Sequence, residues 1–237
     1  MTDPAGKSLV VIVAKEPVPG RVKTRLSPEI SATDAAGLYR CFLLDRIGAV
    51  RRMTGVDRAV AFTPEDAMGA FRTLPLDGFE LFPQRGADLG ERLNNIFLDK
   101  LANGYDAVSI VDSDSPDLPR AFIKESLRVL LSKQAEVVFG PCHDGGYYLV
   151  GMRKPNPELF RNIPWSTSRV LSSSLEKSRR LGLDVKLLSF WNDLDTFKDL
   201  VEFFNRYRDR PPSDEEVGAE SLAYLSRLEK SNRLMIM

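Results

Sequence analysis

The sequence predicts a three-layer α/β/α sandwich built around a mostly parallel sheet. Three observations lead there. Short apolar, β-branched runs alternate with amphipathic helical patterns over most of the 237 residues. Polar and charged clusters begin where those runs end, which is where open α/β sheets bind ligands. One pair of runs is joined by a short Gly-rich connector, which adds an antiparallel element.

The runs Leu9–Ala14, Ala59–Thr63, Phe79–Phe82, Ala107–Val111, Glu136–Gly140, Tyr147–Val150 and Val185–Phe190 read as strands. Helices fill most of the gaps. Thr33–Arg52 places Leu38, Phe42, Leu43, Ile47 and Val50 on one face, and Asp88–Ala102 and Pro119–Leu131 repeat the pattern, the latter with Pro at a favourable first position. Ser168–Leu181 and Thr196–Tyr207 follow. The connector Pro141-Cys142-His143-Asp144-Gly145-Gly146 makes Glu136–Gly140 and Tyr147–Val150 a hairpin-like pair. Residues 1–207 then read as a single domain, and 208–237 as a linker and helix extension. The spacing Ser213-Asp214-Glu215-Glu216 predicts a capping box ahead of Val217, Leu222, Leu225 and Leu228.

Composition narrows the function. The apolar content of 43% supports a full core, and Lys plus Arg balance Asp plus Glu at 33 each. A nucleic-acid surface draws on a broad basic face, so metabolites are the expected partners. Cys41 and Cys142 stand in no metal-ligand spacing, no secretory leader is visible, and no run is long enough for a membrane span, so a cytoplasmic protein is expected. The sole histidine, His143, excludes a two-histidine metal site.

Against that neutral background, four cations, Lys15, Arg21, Lys23 and Arg25, crowd the loop after the first strand. Pro17, Pro19 and Gly20 stiffen and turn it, which suits a phosphate cradle. The second signal is Asp112-Ser113-Asp114-Ser115-Pro116-Asp117, released at the end of a buried strand. Hard cations such as magnesium and manganese take one or two carboxylates plus substrate phosphates, which fits Asp114 with Asp112. Asp117 is expected to cap the following helix. A third cluster, Asn192-Asp193-Leu194-Asp195-Thr196, offers Asp193 as a further metal carboxylate, with Asp195 or Thr196 as a helix cap. Asp144, in Asp144-Gly145-Gly146, is explained by turn chemistry or by a role as base toward an acceptor hydroxyl. Gly90, Glu91 and Arg92 open a helix whose free amides suit a nucleotide.

In combination these residues resemble the bacterial DUF2064, glycosyltransferase-like proteins of the nucleotide-diphospho-sugar transferase (GT-A) superfamily. The motifs are Lys15-x-Pro17-x-Pro19-Gly20-x-Val22-Lys23-Thr24-Arg25-Leu26, Asp88-Leu89-Gly90-Glu91-Arg92, Asp114-x-Pro116-Asp117-Leu118, Gly140-Pro141-x-x-Asp144-Gly145-Gly146-Tyr147-Tyr148, Trp165-Ser166-Thr167 and Asp193-x-Asp195-Thr196. The first loop and both acidic motifs are also similar, more distantly, to phospholactate guanylyltransferases and molybdenum-cofactor nucleotidylyltransferases. The resemblance implies a Rossmann-like GT-A sheet, a nucleotide-binding half over about 9–118 and an acceptor half over about 136–200, with Asp114 holding a divalent metal against the phosphates. Asp112 stands where the family commonly has a small residue, and the chain runs past the family's usual end, as an oligomer contact or a lid.

The leading expectation is therefore metal-dependent glycosyl transfer from a nucleotide sugar to a small acceptor. Ala14, Lys15, Gly20, Arg21, Lys23 and Arg25, with Gly90, Glu91 and Arg92, would hold the nucleotide. Asp112, Asp114 and Asp193 would hold Mg2+ or Mn2+, while Asp114, Asp144, Lys23 and Arg25 carry the chemistry. His143, Asp144, Gly145, Gly146, Tyr147 and Trp165 would meet the acceptor. Two alternatives keep the pocket: nucleotidyl transfer from a nucleoside triphosphate with pyrophosphate release, and a non-catalytic nucleotide-binding module. A homo-oligomer remains open.

Overall fold

The computed structural model describes residues 6–27, 29–209 and 218–234. Its strands are β1 (Ser8–Lys15), β2 (Asp57–Thr63), β3 (Glu80–Pro83), β4 (Ala107–Val111), β5 (Val137–Pro141), β6 (Tyr147–Met152) and β7 (Val185–Leu187). Its helices are α1 (Ala32–Arg51), α2 (Met68–Phe71), α3 (Leu89–Ala102), α4 (Arg120–Leu131), α5 (Val170–Arg180), α6 (Phe197–Tyr207) and α7 (Ala219–Lys230). The strands form one seven-stranded sheet in the order β3-β2-β1-β4-β6-β5-β7. Only β6 runs antiparallel to its neighbours, inserted between β4 and β5.

The period-two side-chain alternation of β1 explains the layers. Val10, Ile12 and Ala14 face Leu43, Ile47 and Val50 of α1, with Ile123 and Leu127 of α4 in the same cluster. Leu9 and Val11 face the opposite way, toward Leu93, Ile96 and Phe97 of α3. Burying a side chain of this size stabilises the fold by about 1.5–3 kcal/mol. The strand order reverses between β1 and β4, so the carboxyl ends of these two strands border the crevice that open α/β sheets offer to ligands.

Local chemistry sets the helix starts. Ser31 accepts from the N–H of Asp34 at 3.1 Å, and Asp88 from that of Glu91 at 2.8 Å. Thr196 and Asp199 form a reciprocal capping box at α6. Two expectations change. Asp117 caps nothing: Pro119 occupies the cap position of α4 without a side-chain bond, and Asp117 accepts from Trp191 Nε1 at 3.2 Å. The final strand ends at Leu187: Leu188 still donates its N–H to the Phe139 carbonyl at 2.9 Å, and beyond it an isolated bridge joins Cys142 to Trp191.

The predicted capping box at Ser213–Glu216, with Val217, lies outside the described residues. Helix α7 packs on the chain's own α1. Leu225, Leu228 and Leu234 join Leu38, Phe42, Phe203 and Phe204 in one buried cluster. Asp45 of α1 accepts the N–H groups of Glu220 and Ser221, each at 2.9 Å, which caps α7 from a neighbouring helix. Gly37 is needed here, since a Cβ at that point would sit 2.2 Å from the Tyr224 hydroxyl.

Candidate active site

A cleft of about 710 Å³ opens at the carboxyl ends of β1 and β4. Its basic rim is the loop after β1. Val22 and Leu26 anchor the loop by burial, while Lys15, Arg21 and Arg25 stay exposed. Lys23 adopts a left-handed backbone, φ 49° and ψ 38°, and opens a 3-10 turn over Thr24–Leu26. That turn sends its side chain inward. Lys23 Nζ lies 2.6 Å from Asp114 Oδ1 and 2.7 Å from Asp195 Oδ1, with only 4% of the side chain exposed. Burial alone would lower the ammonium pKa, but the two carboxylates outweigh it and hold it above the ordinary lysine value. Asp195 is held below the usual carboxylate range, because Lys23, Arg25 and Lys15 overcome the cost of its burial.

The acidic floor comes from the loops after β4 and β7. Leu194 donates its N–H to the carbonyl of Asp114 at 3.1 Å, which brings Asp193 and Asp195 alongside the Asp112–Asp114 turn. Asp112 Oδ2 accepts from Ser115 Oγ at 3.0 Å, whereas Oδ1 is buried and has no partner. Burial, with the Asp114 charge, pushes Asp112 up to about 8 against the pull of Arg46. Asp193 is pushed up to about 6 by burial, Asp195 and Asp144. Ligand atoms of Cys142, Asp144 and Asp193 lie within 4.8 Å of one another. Burial raises the Cys142 thiol pKa, so it stays protonated beside these oxygen donors.

Two buried groups tie the turn to the rest of the cleft. Tyr39 of α1 accepts the Lys15 N–H at 2.9 Å and shares a hydrogen bond with Ser113 at 2.8 Å, linking basic loop to acidic turn. Arg46, fully buried, donates to the carbonyls of Ser115 and, at 3.3 Å, Leu118.

Of the predicted nucleotide set, Ala14, Lys15, Arg21, Lys23, Arg25 and Arg92 line the cleft, whereas Gly20, Gly90 and Glu91 do not. The Glu91 carboxylate accepts the Ala87 N–H at 2.8 Å, so it shapes its own helix start. A Cβ on Gly90 would meet Trp165 Nε1 and the Phe160 carbonyl at 2.7 Å, so this glycine makes room for Trp165. Asp112, Asp114 and Asp193 all line the cleft. Of the acceptor set, Asp144, Gly146, Tyr147 and Trp165 line it, and Gly145 does not. Asp144 Oδ1 accepts the Gly146 N–H at 2.8 Å, the turn role weighed from sequence. Gly145 has φ +90°, and a Cβ there would lie 2.0 Å from the Ser168 carbonyl.

His143 is a correction. It stacks on Phe190 at 5.0 Å and lines a separate hollow of about 220 Å³ beside α6. On the tight turn Cys142 and Asp144 line the cleft and His143, between them, turns away. Sequence reasoning missed Asp195 as a site carboxylate, although the Asp193-x-Asp195 spacing was a signal; Thr196 took the cap. It also missed Tyr39, Arg46 and Gln84, which carry no local motif.

The family profile described as "Uncharacterized protein conserved in bacteria (DUF2064)" matches residues 45–167. A 2-phospho-L-lactate guanylyltransferase of Methanothermobacter thermautotrophicus is 31% identical over 172 residues, covering 69% of this chain and 74% of the relative. A crystal structure from Desulfovibrio desulfuricans G20, provisionally named a nucleotide-diphospho-sugar transferase, superposes with a TM-score of 0.85 and 31% identity, covering 98% of this chain and 100% of that one. A CMP:2-keto-3-deoxy-manno-octonic acid synthetase complexed with CTP shares the fold alone, at 13% identity and a TM-score of 0.54 over 83% of this chain and 96% of that one. With the sheet order, the switch-point cleft and the full-length superposition in agreement, the chain belongs to the DUF2064 family and is a transferase of the nucleotide-diphospho-sugar transferase fold.

Proposed function

We propose that the protein transfers a nucleotidyl group from a nucleoside triphosphate to a phosphorylated small molecule, releasing pyrophosphate. The observation that carries this reading is the 31% identity to a guanylyltransferase across 69% of the chain. The cleft supports it. Among the described residues Lys15 and Arg21 make no ion pair, and Arg25 and Arg92 stand along the same rim, so cations face the triphosphate path. An acceptor phosphate oxygen attacks the α-phosphorus, and the bond from that phosphorus to the oxygen bridging the β-phosphorus breaks. Pyrophosphate leaves with the electron pair. No group need remove a proton from an acceptor that is already a phosphate anion, so alignment and charge neutralisation supply the catalysis. That suits a site whose Asp144 is engaged in its own turn.

The donor set fits a divalent metal. Asp112 leaves a buried oxygen unpartnered. Asp144 and Asp193 bring carboxylate oxygens within 4.8 Å of each other beside Cys142, whereas the expected trio Asp112, Asp114 and Asp193 does not gather that closely; together the carboxylates of this floor offer the hard oxygen ligands that Mg2+ or Mn2+ prefer. When bound, the metal would offset the charge of the phosphates. Lys23 keeps Asp114 and Asp195 fixed, and Arg21 and Arg25 orient the leaving diphosphate.

Glycosyl transfer from a nucleotide sugar is the second reading, favoured by the name of the Desulfovibrio structure. Trp165 and Tyr147, 6.3 Å apart and edge-to-face, would then flank a sugar. Incubating the protein and Mn2+ with each nucleoside triphosphate and a panel of phosphorylated hydroxy acids and sugars, and following pyrophosphate, tests the first reading. Release that falls at least about 100-fold in Asp114→Asn is expected. Nucleoside diphosphate formed from a nucleotide sugar, without pyrophosphate from any triphosphate, would replace it.

A further inference from the structure

Cys142 has no part in the chemistry proposed for the cleft, yet its thiol is placed as a ligand would be. It stands at a position that the motif Gly140-Pro141-x-x-Asp144 leaves open, so it belongs to this chain rather than to the motif. Its side chain lines the cleft although only 4% of the residue is exposed. Among the described residues Sγ makes no hydrogen bond and no disulfide. A buried polar atom without a partner calls for one from outside the chain, and a thiol at a cleft wall can take it.

Two carboxylates complete the setting. One ligand atom each from Cys142, Asp144 and Asp193 lies within 4.8 Å of the other two, and among the described residues no other three acidic, histidine or thiol side chains gather so closely. Backbone bonds hold the group in place. Cys142 donates its N–H to the Gly146 carbonyl at 3.0 Å, which closes the turn carrying Asp144. Trp191 donates to the Pro141 carbonyl and Leu194 to the Asp114 carbonyl, each at 3.1 Å, so the segment carrying Asp193 is pinned on both sides. Asp144 Oδ1 is engaged by the Gly146 N–H, whereas Oδ2 accepts no hydrogen bond among the described residues. The three side chains come from two loops that the sheet brings together, which is why no ligand spacing shows in the sequence.

We propose that Cys142, Asp144 and Asp193 form a binding site for a thiophilic divalent ion of the Zn2+ class. Such an ion takes thiolate sulfur at about 2.3 Å and carboxylate oxygen at about 2.0–2.2 Å, and three protein ligands leave its fourth tetrahedral position to water or a substrate oxygen. In a tetrahedron of those bonds the ligand atoms stand about 3.4–3.6 Å apart, so side-chain movement of no more than about 1.4 Å closes the present group. The thiol gives its proton to solvent as the ion binds. Mg2+ and Mn2+ prefer oxygen ligands, so the sulfur sets this site apart from Asp112 and Asp114, which lie outside the group. Asp144 is exposed and gives the ion its way in.

The site needs no nucleotide, so its test runs without one and stands apart from pyrophosphate release. Protein stripped with EDTA is titrated with Co2+, the coloured substitute for Zn2+, and followed by absorption. A thiolate-to-cobalt charge-transfer band in the near ultraviolet is expected, saturating at one ion per chain and erased by Zn2+. Cys142→Ser keeps Cys41 and should lose both the band and at least about tenfold in Zn2+ affinity, while Mn2+ affinity stays within about twofold of wild type. Co2+ bound without the band, or a band that survives in Cys142→Ser, overturns the site and leaves the carboxylate floor as the metal ligand. Failure to bind Co2+ at all overturns it as well. Wild type alone decides the matter by 113Cd NMR if the variant does not fold: a resonance shifted toward sulfur ligation supports the site, and one in the all-oxygen range overturns it.

Discussion

Replacing Arg46 with Met should do more damage than the removal of any other single side chain near the cleft, although Arg46 touches no substrate position. Its guanidinium is fully buried and donates to the Ser115 and Leu118 carbonyls, the two ends of the turn that follows Asp114. It is also the positive charge that opposes the rise of Asp112. Methionine keeps much of the volume and removes both donors and the charge. Stranding two buried carbonyls without their donor costs about 1–3 kcal/mol each, so about 2–6 kcal/mol together. In a domain of this size that is a fall in Tm of roughly 4–24 °C. The cost has a pH signature. Asp112 titrates near 8 with Arg46 present and higher without it, so the variant and wild type both hold a neutral carboxyl at pH 6, whereas toward pH 9 the variant must still keep its proton where wild type has lost it, and the penalty grows over that interval. Mn2+ affinity should fall with it, about tenfold for each unit by which the Asp112 pKa rises, since the metal must displace that proton. Urea unfolding at both pH values, with EDTA, and Mn2+ titration are the assays. A loss under about 1 kcal/mol that does not change with pH, and an unaltered Mn2+ affinity, would refute the reasoning.

Further expectations follow from the same contacts. Asp112 and Asp193 both carry folded-state pKa values raised above the ordinary 3.8, to about 8 and about 6, so the native state holds more protons than the unfolded chain in that interval. Stability in EDTA should therefore fall as pH rises from 3.8 toward 8 while metal affinity rises, and a stability curve that climbs over this range would count against the crowded carboxylates. Tyr39→Phe removes the link between Lys15 and Ser113 and should cost about 1–3 kcal/mol by chemical denaturation; a change under about 0.5 kcal/mol would mean that the two loops are held independently. Asp45→Ala should uncap α7 at a cost of about 1–2 kcal/mol and speed amide exchange over residues 219–230 ahead of the sheet. Gly145→Ala should distort the acceptor loop, because its Cβ would lie 2.0 Å from the Ser168 carbonyl; unchanged stability and turnover would show that the loop yields.

The parts of the fold legible in the sequence were those written in local periodicity. The apolar run of β1 declares itself because burial on both faces of a strand leaves a continuous apolar stretch, whereas the single face expected for α1 is two: Leu43, Ile47 and Val50 pack on the sheet, and Leu38 and Phe42 pack with α6 and α7. The insertion of β6 between β4 and β5 is not local: the hairpin was visible, but its place in the sheet depends on pairing with a strand far earlier in the chain. The same division runs through the site. Lys23, Asp114 and Asp193 stood in motifs at strand ends. Arg46 and Tyr39 look like ordinary residues of an amphipathic helix, and only the tertiary approach of the β4 turn gives their polar atoms partners. His143 misled for the opposite reason. A histidine between two cleft residues reads as part of the cleft, yet neighbours in a tight turn point apart.

The central claim is that the cleft transfers a nucleotidyl group. It is tested most directly by 31P NMR of the reaction mixture containing protein, Mn2+, GTP and 2-phospho-L-lactate, the acceptor in the name of the guanylyltransferase relative, with other phosphorylated hydroxy acids and sugar phosphates in parallel. The account predicts equal growth of pyrophosphate and of a new diphosphate-linked product, both lost in Asp114→Asn. Nucleoside diphosphate accumulating from a nucleotide sugar, with GTP left intact beside every acceptor, would contradict it.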